Sequence, residues 1–235
     1  MQIELWEKPK KGATIIEGFP GFGLVSTIAT EYLIDHLEAK LIGKLVSDKF
    51  PAIVAVHKGQ IVEPVGVFYD ERNNIVIVRA ITNVSGLEWS ITENIQKLAE
   101  EIKAREIISI EGISSDNKPP EPEAFYFTKN EERKKKFVSM NLREIDEGII
   151  VGVTAALLTK IPETTFLFTE ANSELPDSRA AAKIIEILDS YLKLKLDFKP
   201  LIKKAEDFES KIKEILLSTK EITTKQKEKE ESYFG

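Results

Sequence analysis

The sequence contains no cysteine, only two histidines and no long hydrophobic run. Without cysteine, the chain has no disulfide, thiolate nucleophile or zinc ribbon. The two histidines, His36 and His57, are too few for a multi-histidine metal site, so we expect neither a metal nor a cofactor. The longest apolar run, 149–158, has ten residues, whereas a membrane helix needs about 20. The first residues resemble no signal peptide, and we expect a cytoplasmic protein.

Charged side chains are abundant, but the basic ones are not in excess. Among 235 residues, 42% are hydrophobic and 31% are charged, which is typical of a globular chain with a charged surface. The formal net charge is −6, which disfavours general nucleic-acid binding. The length fits one large domain, or one domain with an appendage.

Short β-branched segments alternate with stretches of helical periodicity over the first 195 residues. This alternation predicts an α/β sandwich around a mostly parallel sheet, with helices on both faces and one added antiparallel strand pair, 60–69 with 75–80. The other predicted strands are 13–17, 41–46, 52–57, 106–111, 124–128, 149–151 and 164–169, and the predicted helices are 24–37, 90–103, 154–158 and 177–195.

The last forty residues have a different pattern. Apolar residues recur at spacings of four and three, which indicates a helical seam about three heptads long; its leading members are Leu201, Ala205, Phe208, Ile212 and Ile215. Such a seam packs either on its own domain or on another subunit or partner. We therefore divide the chain into a domain at 1–197, a C-terminal helix at 198–222 and a flexible tail at 223–235, which ends on Tyr233, Phe234 and Gly235.

The segment 18–26 joins a predicted strand to a predicted helix and is rich in glycine. Gly21, Gly23 and Ser26 approximate a dinucleotide-binding fingerprint, with Asp48 in the place of the ribose-binding acid. The simpler interpretation is a tight turn that needs glycine for close packing. A nucleotide-dependent enzyme that uses this turn is the alternative hypothesis.

No catalytic constellation stands out elsewhere. Ser85, Ser114 and Ser115 lie in predicted loops, but none belongs to a Gly-x-Ser-x-Gly motif, and His57 is the one candidate base after a strand. Acidic pairs such as 131–132 and the basic run 133–136 are typical of solvated helix faces. We therefore predict no catalytic residues.

Several motifs together resemble the proteasome assembly chaperone family found in archaea. They are Glu-Gly-Phe-Pro-Gly-Phe-Gly-Leu-Val at 17–25, Tyr-Leu-Ile at 32–34, Ser-Asp-Lys-Phe-Pro at 47–51, Gly-Ile-Ile-Val-Gly at 148–152 with Ala-Leu-Leu at 156–158, and Leu-Pro-Asp-Ser-Arg-Ala-Ala at 175–181. They follow the family's order over roughly residues 1–195. The family-motif positions, to which we assign a structural role, are Gly18, Pro20, Gly21, Gly23, Asp48, Asp177 and Arg179.

The resemblance implies an α/β sandwich fold and ATP-independent chaperoning of proteasome assembly. From the apolar seam of the C-terminal helix we predict a homo-oligomer. Some relatives end in a hydrophobic-tyrosine-any tripeptide that enters pockets between α-subunits of the proteasome core particle. Tyr233, Phe234 and Gly235 would take those three places, and Phe234 lacks the tyrosine hydroxyl. The implied partners are the core particle or a homologous assembly chaperone. An oligomeric adaptor that binds a different partner through the same tail is a further alternative.

Overall fold

A computed structural model describes residues 1–196, except Ile53, Lys58, 115–120, Glu174 and the side chains of His57 and Gln60. The predicted C-terminal helix at 198–222 and the tail at 223–235 lie outside the described residues. Every residue assigned to the seam and to the terminal tripeptide lies outside them as well.

A nine-stranded mixed sheet organises the domain. Its strand order is β1-β3-β6-β7-β2-β8-β11-β9-β10, and the four middle strands, β7, β2, β8 and β11, are parallel to one another. These strands are β1 (Gln2–Leu5), β2 (Thr14–Gly18), β3 (Lys40–Val46), β6 (Val65–Asp70), β7 (Ile75–Ala80), β8 (Glu106–Ser114), β9 (Ala124–Phe127), β10 (Arg143–Glu144) and β11 (Thr165–Ala171). The prediction of an α/β fold with a parallel centre is confirmed, and β6 with β7 forms the expected antiparallel pair.

Helices cover both faces of the sheet because adjacent residues of a buried strand point to opposite sides. Ile16 of β2 packs with the core cluster that includes residues of α1, α3 and α5, while its neighbour Ile15 packs with the cluster that includes residues of α2 and α4. The five helices are α1 (Val25–His36), α2 (Glu88–Glu101), α3 (Glu131–Ser139), α4 (Gly152–Lys160) and α5 (Ser178–Leu192).

Two predicted strands differ from the structure. The apolar segment 149–151 is irregular and exposed, with Ile149 90% accessible, so the strand prediction is wrong. A run of consecutive apolar residues has no periodicity, so the sequence pattern does not distinguish a buried strand from an exposed loop. The predicted strand 60–69 is interrupted at Pro64, which has no N–H to donate to a ladder. Its first part, β5 (Gln60–Val62), pairs with β4 (Ala55–His57) in a separate hairpin.

The strand directions place a defined set of loops at one edge of the sheet. We call this the carboxyl edge, because the four parallel strands and β3 all end there. The β4–β5 hairpin connects β3 to β6 at this edge, and α1, α2 and α5 begin near it because each follows a strand that ends there. In open α/β sheets, ligands bind at this edge. Within the described part of the chain, no helix has the length and hydrophobicity needed to cross a membrane.

Candidate functional site

The glycine turn between β2 and α1 packs directly onto the neighbouring strands at the carboxyl edge. Gly23 has φ 62°, and a Cβ there would lie 2.8 Å from the Cβ of Ala171. A Cβ on Gly112 of β8 would overlap the carbonyl group of Phe22. The turn and the strand therefore touch backbone to backbone, a separation that only glycine permits.

The space above Gly21 is occupied by a carboxyl group. A Cβ on Gly21 would overlap Oε1 of Glu111, a residue near the end of β8. A nucleotide phosphate held by a glycine turn needs that space free and surrounded by N–H donors. In this structure, the Glu111 side chain stands where the phosphate would approach, so the geometry favours the close-packing role of the turn.

Two buried carboxyl groups lie beneath this turn on adjacent strands. Glu17 of β2 is paired in register with Ser109 of β8, and Glu111 follows two residues later on the same strand face. The Ser109 hydroxyl donates to Oγ1 of Thr154 at 3.1 Å, and Thr154 donates to Oε2 of Glu111 at 3.0 Å. Because Thr154 belongs to the first turn of α4, this chain of hydroxyls connects α4 to the sheet.

Burial is the main cause of the raised pKa of both carboxyl groups. It raises the pKa of Glu17 to about 8; the nearby Ser109 hydroxyl opposes this rise and the charge of Glu111 adds to it. Burial likewise raises the pKa of Glu111 to about 8, against the hydrogen bonds from Thr154 and from the Gly112 N–H. Within the described part of the chain, neither oxygen of Glu17 has a hydrogen-bond partner of good geometry. At neutral pH both carboxyl groups are therefore mainly protonated, which lowers the cost of burying them.

The family-motif residues after β11 hold the turn in place. The backbone N–H of Asp177 donates to the carbonyl of Gly23 at 2.8 Å. The Asp177 carboxylate accepts from the backbone N–H of Ala180 at 3.0 Å, which caps α5, and from the N–H of Asn172 at 3.1 Å. Asp177 therefore joins three segments, whereas Arg179 is exposed on the first turn of α5.

Asp48 lies apart from the glycine turn. It is exposed in the turn after β3, and β6 and β7 separate β3 from β2. Because neighbouring strands lie about 4.8 Å apart, β3 and β2 are separated by roughly 14 Å. The position of Asp48 therefore does not match that of a ribose-binding acid beside the glycine turn. The other motif residues Gly18, Pro20, Gly21 and Gly23 belong to one continuous segment, the glycine turn itself.

The hydrolase candidates are distributed over separate elements. Ser85 is exposed and donates to Oδ1 of Asn83 at 2.6 Å. The other histidine, His36, which was not a candidate base, lies on α1 and stacks on Tyr32 with ring centroids 4.4 Å apart. Ser114 is exposed at the end of β8, while Ser115 and the His57 side chain lie outside the described residues. The basic run 133–136 belongs to α3, where Arg133 forms an ion pair with Glu106 at 3.1 Å.

Exposed apolar side chains concentrate at the carboxyl edge. Met1 lies there beside Val46, because Gln2 pairs with Val46. Eight more of the eleven large apolar side chains exposed in the described part of the chain lie at the end of β3, on the connections after β3 and β11, in the first turn of α2, or just before α4, whose first turn reaches Glu111. We call this set the apolar rim; its members are Val46, Val54, Val56, Ile61, Trp89, Ile149, Val151 and Leu175. Concentrated apolar exposure of this kind is typical of an interaction surface.

The fold and this edge define an α/β protein with a closed glycine turn and an exposed apolar rim. The model of the PAC2 family matches residues 15–216, most of the chain. The chain therefore belongs to the PAC2 family.

Three archaeal proteins are similar to the chain over most of its length. The crystal structure of PbaA from Pyrococcus furiosus, an archaeal homologue of proteasome-assembly chaperone, is 27% identical, with a TM-score of 0.84, and the match covers 94% of this chain and 99% of PbaA. PbaB from the same organism, at 24% identity and a TM-score of 0.74, covers 91% of this chain and 98% of its own, and shows the shared fold. An uncharacterized protein of Methanocaldococcus jannaschii is 27% identical over 205 residues, which is 86% of this chain and 84% of that protein. The chain is thus a relative of archaeal proteasome-assembly chaperone homologues.

Sequence analysis missed two features of this edge. The carboxyl pair had a visible signal, because Glu17 and Glu111 are ionisable residues that directly follow isoleucine within strands predicted to be buried. The apolar rim had none, because its members are distant in sequence, and the strand directions together with the packing of α4 on β8 bring them to one edge.

Proposed function

We propose that this protein is an ATP-independent, cytoplasmic, homo-oligomeric chaperone of proteasome assembly that has no catalytic activity and needs no cofactor. The observation that carries the proposal is the likeness to PbaA over nearly the full length of both chains. In this proposal, the domain is a scaffold, the helix at 198–222 joins subunits, and the tail at 223–235 reaches the α-subunits of the core particle.

The terminal residues Tyr233, Phe234 and Gly235 are the proposed docking element. Two aromatic rings and a free carboxylate enter a pocket together, as in other modes of C-terminal recognition. The preceding stretch, 223–232, has three lysines against three glutamates. In this proposal, the stretch has no net charge to attract a partner, and when extended it displaces the terminal residues by up to about 33 Å.

Removing residues 233–235 is expected to abolish tail docking, because buried aromatic anchors dominate interface energies. Phe234→Tyr restores the hydroxyl found in the family pattern and is expected to tighten binding by up to about tenfold. The measurement is surface plasmon resonance on immobilised core particle with the intact, clipped and Phe234→Tyr chains.

Two controls separate the docking element from its surroundings. One alanine added after Gly235 keeps both rings but moves the carboxylate, and it should weaken binding. Reversing the charges of Lys225 and Glu228 together should leave binding unchanged. Equal binding of the clipped and intact chains would contradict the tail proposal.

The helix at 198–222 is proposed to join subunits through its apolar seam. Burying Leu201, Phe208, Ile212 and Ile215 contributes about 1.5–3 kcal/mol for each fully buried side chain. A chain that ends at Asp197 is therefore expected to sediment as a smaller species than the full chain. An unchanged mass in sedimentation velocity would locate the subunit interface on the α/β domain.

A further inference from the structure

A cavity of about 300 Å³ lies at the edge of the sheet where β8 begins, opposite the carboxyl edge. Its walls come from three elements that are remote in sequence: the start of β8, the first part of α3 and the end of α5. Small-molecule sites in proteins have volumes of about 300–1,000 Å³. The cavity is therefore large enough for a small ligand.

A buried carboxylate in the lining already has its own partners. The side chain of Glu106 is 5% exposed and forms an ion pair with Nε of Arg133 at 3.1 Å. It also accepts hydrogen bonds from the hydroxyl of Tyr191 at 3.0 Å and from the hydroxyl of Thr165 at 2.5 Å. A buried carboxylate that is paired and hydrogen-bonded in this way needs no cation from outside the protein.

The same contacts hold Arg133 in a fixed position at the wall. Its Nη1 donates to the carbonyl of Glu163 at 2.7 Å, and its Nη2 donates to the carbonyl of Arg105 at 3.0 Å. Together with the Nε contact to Glu106, these bonds use three of the five N–H groups of the guanidinium. Its positive charge is therefore positioned before any ligand arrives, which lowers the cost of ordering a site.

Three further basic side chains line the cavity, and they have no carboxylate partner in the described part of the chain. These are Arg105, Lys136 and Lys193. The guanidinium of Arg105 donates to the hydroxyl of Thr14 at 2.7 Å, and the ammonium of Lys136 lies 5.6 Å from the centre of the Tyr191 ring. Neither contact neutralises a positive charge, so these groups are available to an anion.

The charges of the lining indicate which kind of anion fits. Four lining residues are basic and two are acidic, an excess of two positive charges in a chain whose net charge is −6. The basic ones are Arg105, Arg133, Lys136 and Lys193, and the acidic ones are Glu106 and Glu132. A phosphate monoester carries a charge of about −1.5 to −2 at pH 7, which matches this excess. Arginine and lysine are also the usual partners of phosphate oxygens.

We propose that this basic cavity, formed by β8, α3 and α5, binds a small molecule through a phosphate group, as inorganic phosphate or as a phosphate monoester. The inference does not depend on the proposed function, because the cavity contains none of the proposed docking residues. The chain from residue 197 onward follows α5 and lies outside the described residues, so the test uses the full-length protein.

Isothermal titration calorimetry of the full-length chain at neutral pH and low salt measures the binding. Inorganic phosphate and glycerol 3-phosphate are the two probes, and at least one is expected to bind with a dissociation constant of about 1 mM or tighter. Acetate, which carries a single charge, is expected to bind at least tenfold more weakly than that probe. Raising the salt concentration should weaken the binding of phosphate, since its contacts are charged.

A pair of double variants separates contact in the cavity from the general charge of the surface. Lys136→Gln with Lys193→Gln is expected to weaken binding tenfold or more, because both ammonium groups line the cavity. The matched control is Lys135→Gln with Lys195→Gln, which removes the same charge from exposed neighbours that do not line it. The control is expected to bind within about twofold of the parent, because exposed charges away from the ligand are largely screened.

Each outcome decides for or against the basic cavity. Tighter binding of glycerol 3-phosphate identifies a monoester as the ligand, and equal or tighter binding of inorganic phosphate identifies the free ion; both support the proposal. Absence of binding to the full-length chain overturns it. Equal losses in the two double variants, or acetate binding as tightly as phosphate, also overturn it. The proposed function stands in either case, because core-particle binding is measured with different variants.

Discussion

Substituting Gly112 by alanine is expected to lower the melting temperature by roughly 6–12 °C, which corresponds to about 3 kcal/mol in a domain of this size. The added Cβ would overlap the backbone carbonyl of Phe22, and a backbone group cannot rotate away as a side chain can. The glycine turn would have to move off β8, and α1 would move with it, because α1 begins directly after the turn. Overpacking a well-packed interior typically costs 1–3 kcal/mol, and more where the neighbour is rigid.

Gly148→Ala is the matched control for this experiment. Gly148 is exposed, and the nearest atom to an added Cβ is the flexible end of Ile145 at 3.3 Å. The melting temperature of this variant should therefore stay close to that of the parent, since the substitution reduces the freedom of the unfolded chain without a backbone clash. The packing argument is wrong if both alanine variants melt at the same temperature.

Substituting Glu17 by glutamine should make the protein more stable relative to the parent as the pH rises. Burial raises the pKa of Glu17 to about 8 from its ordinary value near 4.5. Between these values the native state retains a proton that the unfolded state has lost, so raising the pH favours unfolding. Below pH 4.5 both states are protonated, and above pH 8 both are ionised; in either range the effect of pH on this group ends.

The size of the effect follows from the width of that window. Each pH unit within it reduces the contribution of Glu17 to stability by about 1.4 kcal/mol, so the difference between variant and parent should grow by roughly 3–4 kcal/mol from pH 5 to pH 8. Urea titrations of both proteins at pH 5, 6, 7, 8 and 9 would measure it. Glu7→Gln, at an exposed carboxylate, should differ from the parent by no more than about 0.5 kcal/mol throughout. A constant difference between Glu17→Gln and the parent would show that Glu17 is not kept protonated by the fold.

These two predictions concern the same structural unit. Gly112 permits the close approach of the glycine turn, and Glu111 beside it occupies the space above Gly21. Because Glu111 is linked to α4 through Thr154, the turn, the sheet and both helical layers meet at one position.

Local sequence patterns predicted most of the elements that build this domain. The short β-branched run at 13–17 and the helical spacing at 24–37 predicted β2 and α1, whose observed bounds are Thr14–Gly18 and Val25–His36. The same periodicities predicted α2 and α5 to within about three residues at either end. The helix predictions succeed because a helix that packs on the sheet repeats apolar residues at helical spacing, whereas β2 is recognised as a short β-branched run because all five of its residues are buried.

The short elements at the edges were not predictable in the same way. The strand Gln2–Leu5 pairs with β3 at the sheet edge and has half-exposed residues, so its pattern is weak. The apolar segment 149–151 has the composition of a buried strand but is exposed beside α4. Exposure depends on what lies next to a segment in space, and composition does not specify that.

The sequence by itself determined the class of fold, the close-packed glycine turn and, through its motifs, the family, because these depend on periodicity and on residue types that are close along the chain. Only the tertiary structure decided which side chains share the carboxyl edge. Glu17 and Glu111 meet because β2 and β8 are neighbours, although they are remote in sequence. The apolar rim draws residues from position 46 to position 175 to one edge because the strand directions, and the packing of the first turn of α4 beside Glu111, bring them together there, and no local pattern encodes either.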